Sequence, residues 1–352
     1  MSQRDIRLSV VIPNWNGARH LPECLESLQG QSFEAFETVL VDNGSTDDSL
    51  ALVERDFPWV RVVRNGDNLG FSAAVNAGIR ASDSEFIVLL NNDTRVQSDW
   101  LEQLVAAMDE TPAASFAACR MLRYDPPHRI DSAGDRFSLL RGGGINIGAG
   151  EPAEDHARPA WVFGACAGAA LYRRSLFDDI GLFDEDFFLV FEDVDLSLRA
   201  RVAGHECLYV PDAIVYHKRG ASTDGQSVAV ASRSFRNFVW VAGKNLPWLL
   251  LILWVVALFL RAVIELLGMV FSPFRRLLGG GRDGRAATDG QAPAPPRWPR
   301  RLAPLLRALG EALRALPAKR RETAPLRRLG SLALRPWLLR PVRPLPPDQD
   351  SS

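Results

Sequence analysis

The amino-acid sequence predicts an α/β fold, a mostly parallel mixed sheet with helices on both faces, followed by a helical C-terminal region of different character. Three observations carry this expectation. Short β-branched runs alternate with helical stretches over the first 110 residues, the βαβ pattern that builds parallel sheets covered on both sides. One of the runs, Phe86-Ile87-Val88-Leu89-Leu90, is apolar throughout, as a strand buried on both faces must be. Charge is also divided: residues 1–216 hold 18 Lys/Arg against 34 Asp/Glu, whereas residues 217–352 hold 23 against 8. The formal net charge of -1 therefore conceals an acidic part and a basic part, which suit different partners.

In chain order, Leu8–Ile12, Thr38–Val41, Val60–Val63 and Phe86–Leu90 read as strands. Between them, Leu21–Leu28, Ser49–Asp56, Ser72–Ala81 and Trp100–Asp109 read as helices. Ligands of such sheets bind at the carboxyl ends of the strands. Three polar clusters fall there: Pro13-Asn14-Trp15-Asn16, Asp42-Asn43-Gly44-Ser45-Thr46 and Asn91-Asn92-Asp93. The second reads equally well as a turn and helix cap, since Asn-Gly and Ser are favoured in both places. Neither G-x-G-x-x-G after the first strand nor a P-loop is present, which argues against a dinucleotide oxidoreductase or a P-loop NTPase. A carboxylate at a strand end instead suits a hard divalent cation, Mg²⁺ or Mn²⁺, which binds a substrate diphosphate through one or two protein carboxylates. Asp93 fits that use.

A second constellation follows a hundred residues on. The apolar run Phe187–Phe191 leads into Glu192-Asp193-x-Asp195, which opens a helix carrying Leu196, Leu198 and Val202; a short strand Cys207–Val210 comes next. For Asp195 the expectation is ordinary helix-start stabilisation. Three acids beside five apolar residues are harder to explain that way, and partial burial would raise a carboxyl pKa and prepare a general base. His217 follows a strand-like Ile214-Val215-Tyr216 and, taken alone, reads as a surface or core histidine. Arg141-Gly142-Gly143-Gly144 reads as a mobile loop or a plain surface turn. Cys24, Cys119, Cys166 and Cys207 lie too far apart for a zinc cage or a disulfide framework, so a reduced compartment is expected, and the N-terminus shows no secretory leader.

Several motifs, in order and compatibly spaced over about residues 7–220, resemble the family 2 glycosyltransferases, in particular their rhamnosyltransferase group. They are Val11–Gly17, Val41–Asp47, Asn68-Leu69-Gly70-Phe71, Leu89–Thr94, Gly164-Ala165-Cys166, Phe183-Asp184-Glu185 and Phe191–Leu196. The resemblance implies a Rossmann-like GT-A fold and inverting, metal-dependent transfer from a nucleotide-diphospho-sugar. It implies that Pro13 and Asn14 edge the nucleotide pocket, that Asp42 contacts the base or ribose, that Asn68, Gly70 and Phe71 line the diphosphate side, and that Asn43, Ser45, Asn91 and Asn92 also bind the nucleotide-sugar, the last two as neutral contacts. Asp93 corresponds to the metal-binding last acid of D-x-D, Asp193 to the catalytic base with Glu192 beside it, and His217 to a histidine that completes the metal site in some members. Asn91 stands where D-x-D has its first acid, which leaves one carboxylate at that motif.

The last third speaks of location. Leu246–Leu260 is almost free of polar groups, and with the residues on to Phe271 it is long enough to cross a bilayer of about 30 Å. Its flanks are basic on both sides, which favours a re-entrant or interfacial helix over a full span; a soluble core helix is the alternative. Gly279–Pro296 reads as a flexible linker, and Leu302–Leu316 as a basic amphipathic helix suited to anionic lipid or to a partner. The expected division is a glycosyltransferase domain over 1–245, a membrane-associated helix over 246–272, a Gly/Pro-rich linker over 273–300 and a partly disordered basic tail over 301–352. The expected partners are a nucleotide-sugar donor, dTDP-rhamnose or a UDP-sugar, a lipid-linked glycan acceptor and membrane lipids, with no nucleic acid. The setting expected is the cytoplasmic face of the bacterial inner membrane. A sugar-nucleotide-binding scaffold without activity is the competing class.

Overall fold

The computed structural model describes residues 6–138, 143–218, 228–260, 298–339 and 342–345. Its first half follows the alternating pattern closely: β1 (Leu8–Asn14), α1 (Leu21–Gln29), β2 (Phe36–Asp42), α2 (Ser49–Asp56), β3 (Arg61–Arg64), α3 (Phe71–Arg80) and β4 (Phe86–Leu90). β4, β1, β2 and β3 lie side by side and run parallel. β4 is apolar throughout because both its faces are covered. Phe86, Val88 and Leu90 enter one core with Val10, Ile12 and Trp100, while Ile87 and Leu89 enter the other with Val11, Val39 and Ile79. The two-residue alternation along β1 and β4 thus feeds two layers, and each fully buried aliphatic side chain stabilises the fold by about 1.5–3 kcal/mol.

The second half makes the sheet mixed. It contains β5 (Thr94–Val96), α4 (Trp100–Glu110), β6 (Ala114–Arg123), β7 (Ile130–Ser132), β8 (Asp135–Ser138), β9 (Gly143–Asn146), β10 (Ala160–Val162), β11 (Ala169–Arg173), α5 (Arg174–Ile180), α6 (Glu192–Ala203) and β12 (Glu206–His217). β11 inserts antiparallel between β4 and β6, and β12 runs parallel to β6. The segments Cys207–Val210 and Ile214–Tyr216, expected as separate strands, are one strand with a register shift between Val210 and Ile214. Gly143 and Gly144, expected in a loop or turn, lie in β9 and pair with β8, because Ser138 and Phe137 stand opposite to take their backbone groups. Arg141 and Gly142 lie outside the described residues.

The C-terminal part holds α7 (Val228–Asn245), a helix over residues 248–260 termed α8, α9 (Trp298–Glu322), α10 (Ser331–Leu339) and β13 (Val342–Pro344). Among the described residues no helix is long and apolar enough to cross a membrane. The apolar stretch beyond residue 260 and the linker Gly279–Pro296 lie outside the described residues. The tail expected to stand apart on lipid is instead packed, over its described length, on the domain. Trp240 of α7 donates to the Ala312 carbonyl at 3.2 Å, the Thr323 hydroxyl donates to the Lys244 carbonyl at 2.6 Å, and β13 pairs with β10 at the sheet edge. The reason is complementarity: Ala312, Leu309 and Leu316 find apolar partners such as Trp240, and Lys319 finds Asp184 and Asp186. Leu306 and Leu313, on the same amphipathic helix, remain exposed.

Candidate active site

A cavity of about 610 Å³ opens at the carboxyl ends of β1, β2 and β4 and is closed on its far side by the start of α6 and by β12. Pro13, Asn14, Asn43, Asn68, Gly70, Phe71, Asn91, Asn92, Asp93, Glu192, Asp193 and His217 all line it. Asp42 and Ser45, expected to touch a nucleotide, are not among its lining residues. The Asp42 carboxylate accepts the Ser45 N–H at 3.3 Å and closes the turn after β2, and the Ser45 hydroxyl accepts from the Asn14 amide at 3.1 Å. Both therefore shape the pocket floor from behind.

The asparagines that end the strands form a network that fixes the cavity wall. Asn14 accepts from the Asn92 amide at 2.8 Å and donates to Ser45 and Ser49, so the ends of β1 and β4 are tied together. Asn43 donates to Asn68 and to the Gly70 carbonyl, and accepts from Asn65 and the Leu69 N–H. A buried amide needs each of these partners, since an unsatisfied donor or acceptor costs about 1–3 kcal/mol. Gly70 sits at φ 87° and ψ 171°, a region open essentially to glycine, and a Cβ there would lie 2.6 Å from Phe188. The glycine thus lets the 187–191 segment approach the start of α3, where the Phe71 N–H donates to the Phe188 carbonyl at 2.6 Å.

Asp93 and His217 face each other across the cavity edge, His217 Nε2 standing 3.4 Å from Asp93 Oδ1. β5 and β12 are paired there, with Thr94 opposite His217, which explains how residues so far apart in sequence meet. His217 Nδ1 lies 2.8 Å from Asp131 Oδ2. Burial disfavours a charged imidazole, yet Asp131 and Asp93 outweigh it and raise the His217 pKa to about 9. For Asp93, burial raises the pKa, but His217 overrides it and holds the carboxyl below its ordinary value. Among the described residues no group of three His, Cys, Asp or Glu side chains stands ready for a metal ion. Two protein donors nevertheless fit a hard cation whose other positions are filled by diphosphate and water. Asp131, on Nδ1, would orient Nε2 as carboxylates orient metal-bound histidines.

The other wall holds Glu192 and Asp193, and Asp135 of β8, which does not line the cavity, lies close enough to feel the Asp193 charge. All three are desolvated, and one oxygen each of Asp135 and Glu192 is buried without a hydrogen-bond partner. Burial, followed by the nearby Asp193 charge, pushes both Asp135 and Glu192 up to about 8. Asp193 is also raised by burial, but it accepts backbone N–H groups from Val194 at 2.8 Å and Ala167 at 3.3 Å. Backbone donors favour the ionised form. Asp193 is therefore the acid whose ionised form two neighbouring N–H groups support, while burial holds Asp135 and Glu192 above the ordinary carboxylate range. Neither Asp131 nor Asp135 stood out in the sequence, because each acts on a candidate residue 58 or more positions away. Arg233, which lines the cavity with its guanidinium 4.3 Å from the Phe188 ring centre, likewise carried no recognisable signal.

Asp195 is not a helix-start charge facing water. It is fully buried, 2.9 Å from Arg199 and 3.0 Å from Lys244, and it accepts from Asn245 at 2.7 Å. These bonds anchor the first turn of α6 to α7.

Comparison with known proteins agrees with this architecture. The family model for glycosyl transferase family 2 matches residues 9–181. An N-acetylglucosaminyl-diphospho-decaprenol L-rhamnosyltransferase of Mycobacterium tuberculosis is 30% identical over 269 residues, which cover 68% of this chain and 86% of that one. The chain belongs to glycosyl transferase family 2. Within this glycosyltransferase family it is rhamnosyltransferase-like. A pre-mycofactocin glycosyltransferase of M. tuberculosis is 29% identical over 230 residues, 61% of this chain and 43% of the other. Among solved structures, GalNAc-T7 with UDP, GalNAc and Mn²⁺ superposes with a TM-score of 0.56 at 19% identity, over 69% of this chain; the chain spans about half, 48%, of that one. The mannosyltransferase PcManGT of Pyrobaculum calidifontis, in complex with GDP-Man and Mn²⁺, gives 0.50 at 18% identity, over 91% and 73%. At such identities the likeness speaks for the fold.

Proposed function

We propose that this glycosyltransferase moves a sugar, with L-rhamnose from dTDP-rhamnose the first candidate, onto a lipid-linked or cell-surface glycan with inversion at the anomeric carbon. The observation that carries the reading is the placement of one carboxylate with two backbone N–H donors, Asp193, in the same cavity as the Asp93–His217 pair. Asn14, Asn43, Asn68, Gly70 and Phe71 hold the nucleotide and its diphosphate. Asp93 and, once its proton is displaced, the Nε2 of His217 would hold Mg²⁺ or Mn²⁺, which when bound would supply charge neutralisation for the departing diphosphate. Asp193 accepts the proton of the acceptor hydroxyl as its oxygen bonds to C1 and the bond from C1 to the diphosphate breaks. A single displacement from the opposite face inverts the centre. The 187–191 segment covers the cavity and limits water, which would otherwise compete as acceptor.

The test is nucleoside diphosphate release by purified protein from dTDP-rhamnose, UDP-sugars and GDP-sugars, with a polyprenyl-linked acceptor. Release from one donor, abolished by EDTA, is expected. Asp131→Asn, which disturbs the orientation of His217, is expected to raise the metal concentration for half-maximal rate by about 10–100-fold. Silence with every donor despite nucleotide binding would favour the non-catalytic reading.

The outer face of α8 supports action at a membrane surface. Trp248, Leu249, Ile252, Val256 and Phe259 are exposed at helical spacing, while Leu250 and Trp254 pack inward. The Arg320 guanidinium stands 4.0 Å from the Trp248 ring centre, a cation beside the apolar face as at an anionic interface. We place the protein on the cytoplasmic face of the bacterial inner membrane. Co-sedimentation with phosphatidylglycerol vesicles is expected, weakened in Ile252→Asp; equal recovery of that variant with vesicles would count against the placement.

A further inference from the structure

The segment Phe187–Phe191 joins the cavity wall to the first turn of α6, and its backbone takes a course that L-residues rarely adopt unaided. Phe188, Val190 and Phe191 have φ of 61°, 71° and 73°. Such a conformation persists only where the surroundings over-determine it. One side chain does most of this. Asn237 of α7, wholly buried, donates its amide to the carbonyls of Phe187, Leu189 and Val190 at 2.9, 3.0 and 2.8 Å. An amide has two N–H bonds, so three acceptors share them, an arrangement open to no other side chain of that length. The Asn237 carbonyl oxygen accepts from Arg236 at 3.0 Å, which fixes the amide with its nitrogen toward the segment. Arg236 itself donates to the Asp186 carbonyl at 2.7 Å. From the opposite side the Phe71 N–H holds the Phe188 carbonyl, so the segment is clamped between α3 and α7.

We propose that Asn237 is a positioning residue for the transfer reaction. By gathering the three carbonyls it sets the cavity wall formed by Phe188, Leu189 and Val190, and with it the direction in which α6 presents Asp193. Asn237 lines no part of the cavity itself and acts through the backbone it holds. An aspartate of the same shape would turn acceptor against acceptor, and a serine could serve one carbonyl.

The proposal rests on Asp193 serving transfer. The full-length chain is compared with Asn237→Asp, Asn237→Ser and Thr323→Val. The last removes the buried bond from the residue just after α9 to the Lys244 carbonyl and leaves the segment untouched. Misplacement of a reacting group by about 1 Å costs on the order of a hundredfold, so kcat at saturating donor is expected to fall by about that factor in both Asn237 variants. Nucleoside diphosphate affinity and donor KM should change little by comparison, and Thr323→Val should keep wild-type turnover. Limited chymotrypsin digestion reads the segment without turnover: new cuts within 187–191 are expected in the Asn237 variants alone. If the wild type transfers no sugar, the transfer reading has failed, and the digestion still judges the clamp. Turnover near wild type in both Asn237 variants, an equal loss in Thr323→Val, or the absence of new cuts overturns the proposal. Failure of both Asn237 variants to fold also overturns it, since the residue would then serve stability.

Discussion

Asp193→Asn is expected to lower sugar transfer by about 10²–10⁴-fold, the range a positioned general base contributes, while nucleoside diphosphate binding is retained. The substitution keeps the shape and leaves one oxygen to accept a backbone N–H, of Val194 or of Ala167 but not of both, and it removes the proton acceptor. Its neighbours are poor replacements, because burial raises the pKa of Asp135 and Glu192 and favours their protonated forms. The wild-type rate should also carry the signature of this carboxylate. Burial raises the Asp193 pKa, so the base form is present above the raised value and lost as pH falls through it. The acid limb of kcat/KM is therefore expected above the ordinary carboxylate range near 4. A rate profile flat through that region, or an Asp193→Asn protein with wild-type turnover, would place the proton acceptor elsewhere.

The second large effect concerns stability. Asp195→Ala removes a fully buried carboxylate and leaves Arg199 and Lys244, 5% and 3% exposed, without it. Breaking a buried pair from one side costs about 3–5 kcal/mol, because an uncompensated charge stays in the interior. The low end is expected here. Arg199 keeps the carbonyls of Ile180, Gly181 and Leu182, and Lys244 keeps Asp184, whose own pKa the two lysines hold near 2 against its burial. Urea unfolding of Asp195→Ala beside the wild type measures the difference. A shift below about 1 kcal/mol, the scale of an exposed pair, would mean that water reaches the site.

How far the sequence alone reaches depends on the range of the forces involved. The first four strands and their helices were legible because alternation and helical spacing are local properties, and β4 in particular could only be a strand with two covered faces. The ends of these strands were legible as a cavity edge and candidate site for the same reason: Asn14, Asn43 and Asn91 through Asp93 break an apolar pattern just where a parallel sheet collects its ligands, and all of them line the cavity. Asp195 was misread because its partners Lys244 and Asn245 lie about 50 residues away, and nothing local distinguishes a buried acid from a capping one. The C-terminal helices appeared free for the same reason, since Lys319 meets Asp184 across 135 positions.

What the sequence determined by itself, then, is the α/β layering and the strand-end polar residues, which follow from side-chain period and residue type over a few positions, whereas Asp193 as the candidate base among three acids came from the family resemblance. What only the tertiary structure decided is which acid meets backbone donors and what holds it in place. The N–H groups of Val194 and Ala167 on Asp193, the pairing of Asp131 with His217 and the hold of Asn237 on the 187–191 carbonyls each depend on partners brought together by the closed sheet, and none exists until the chain has folded.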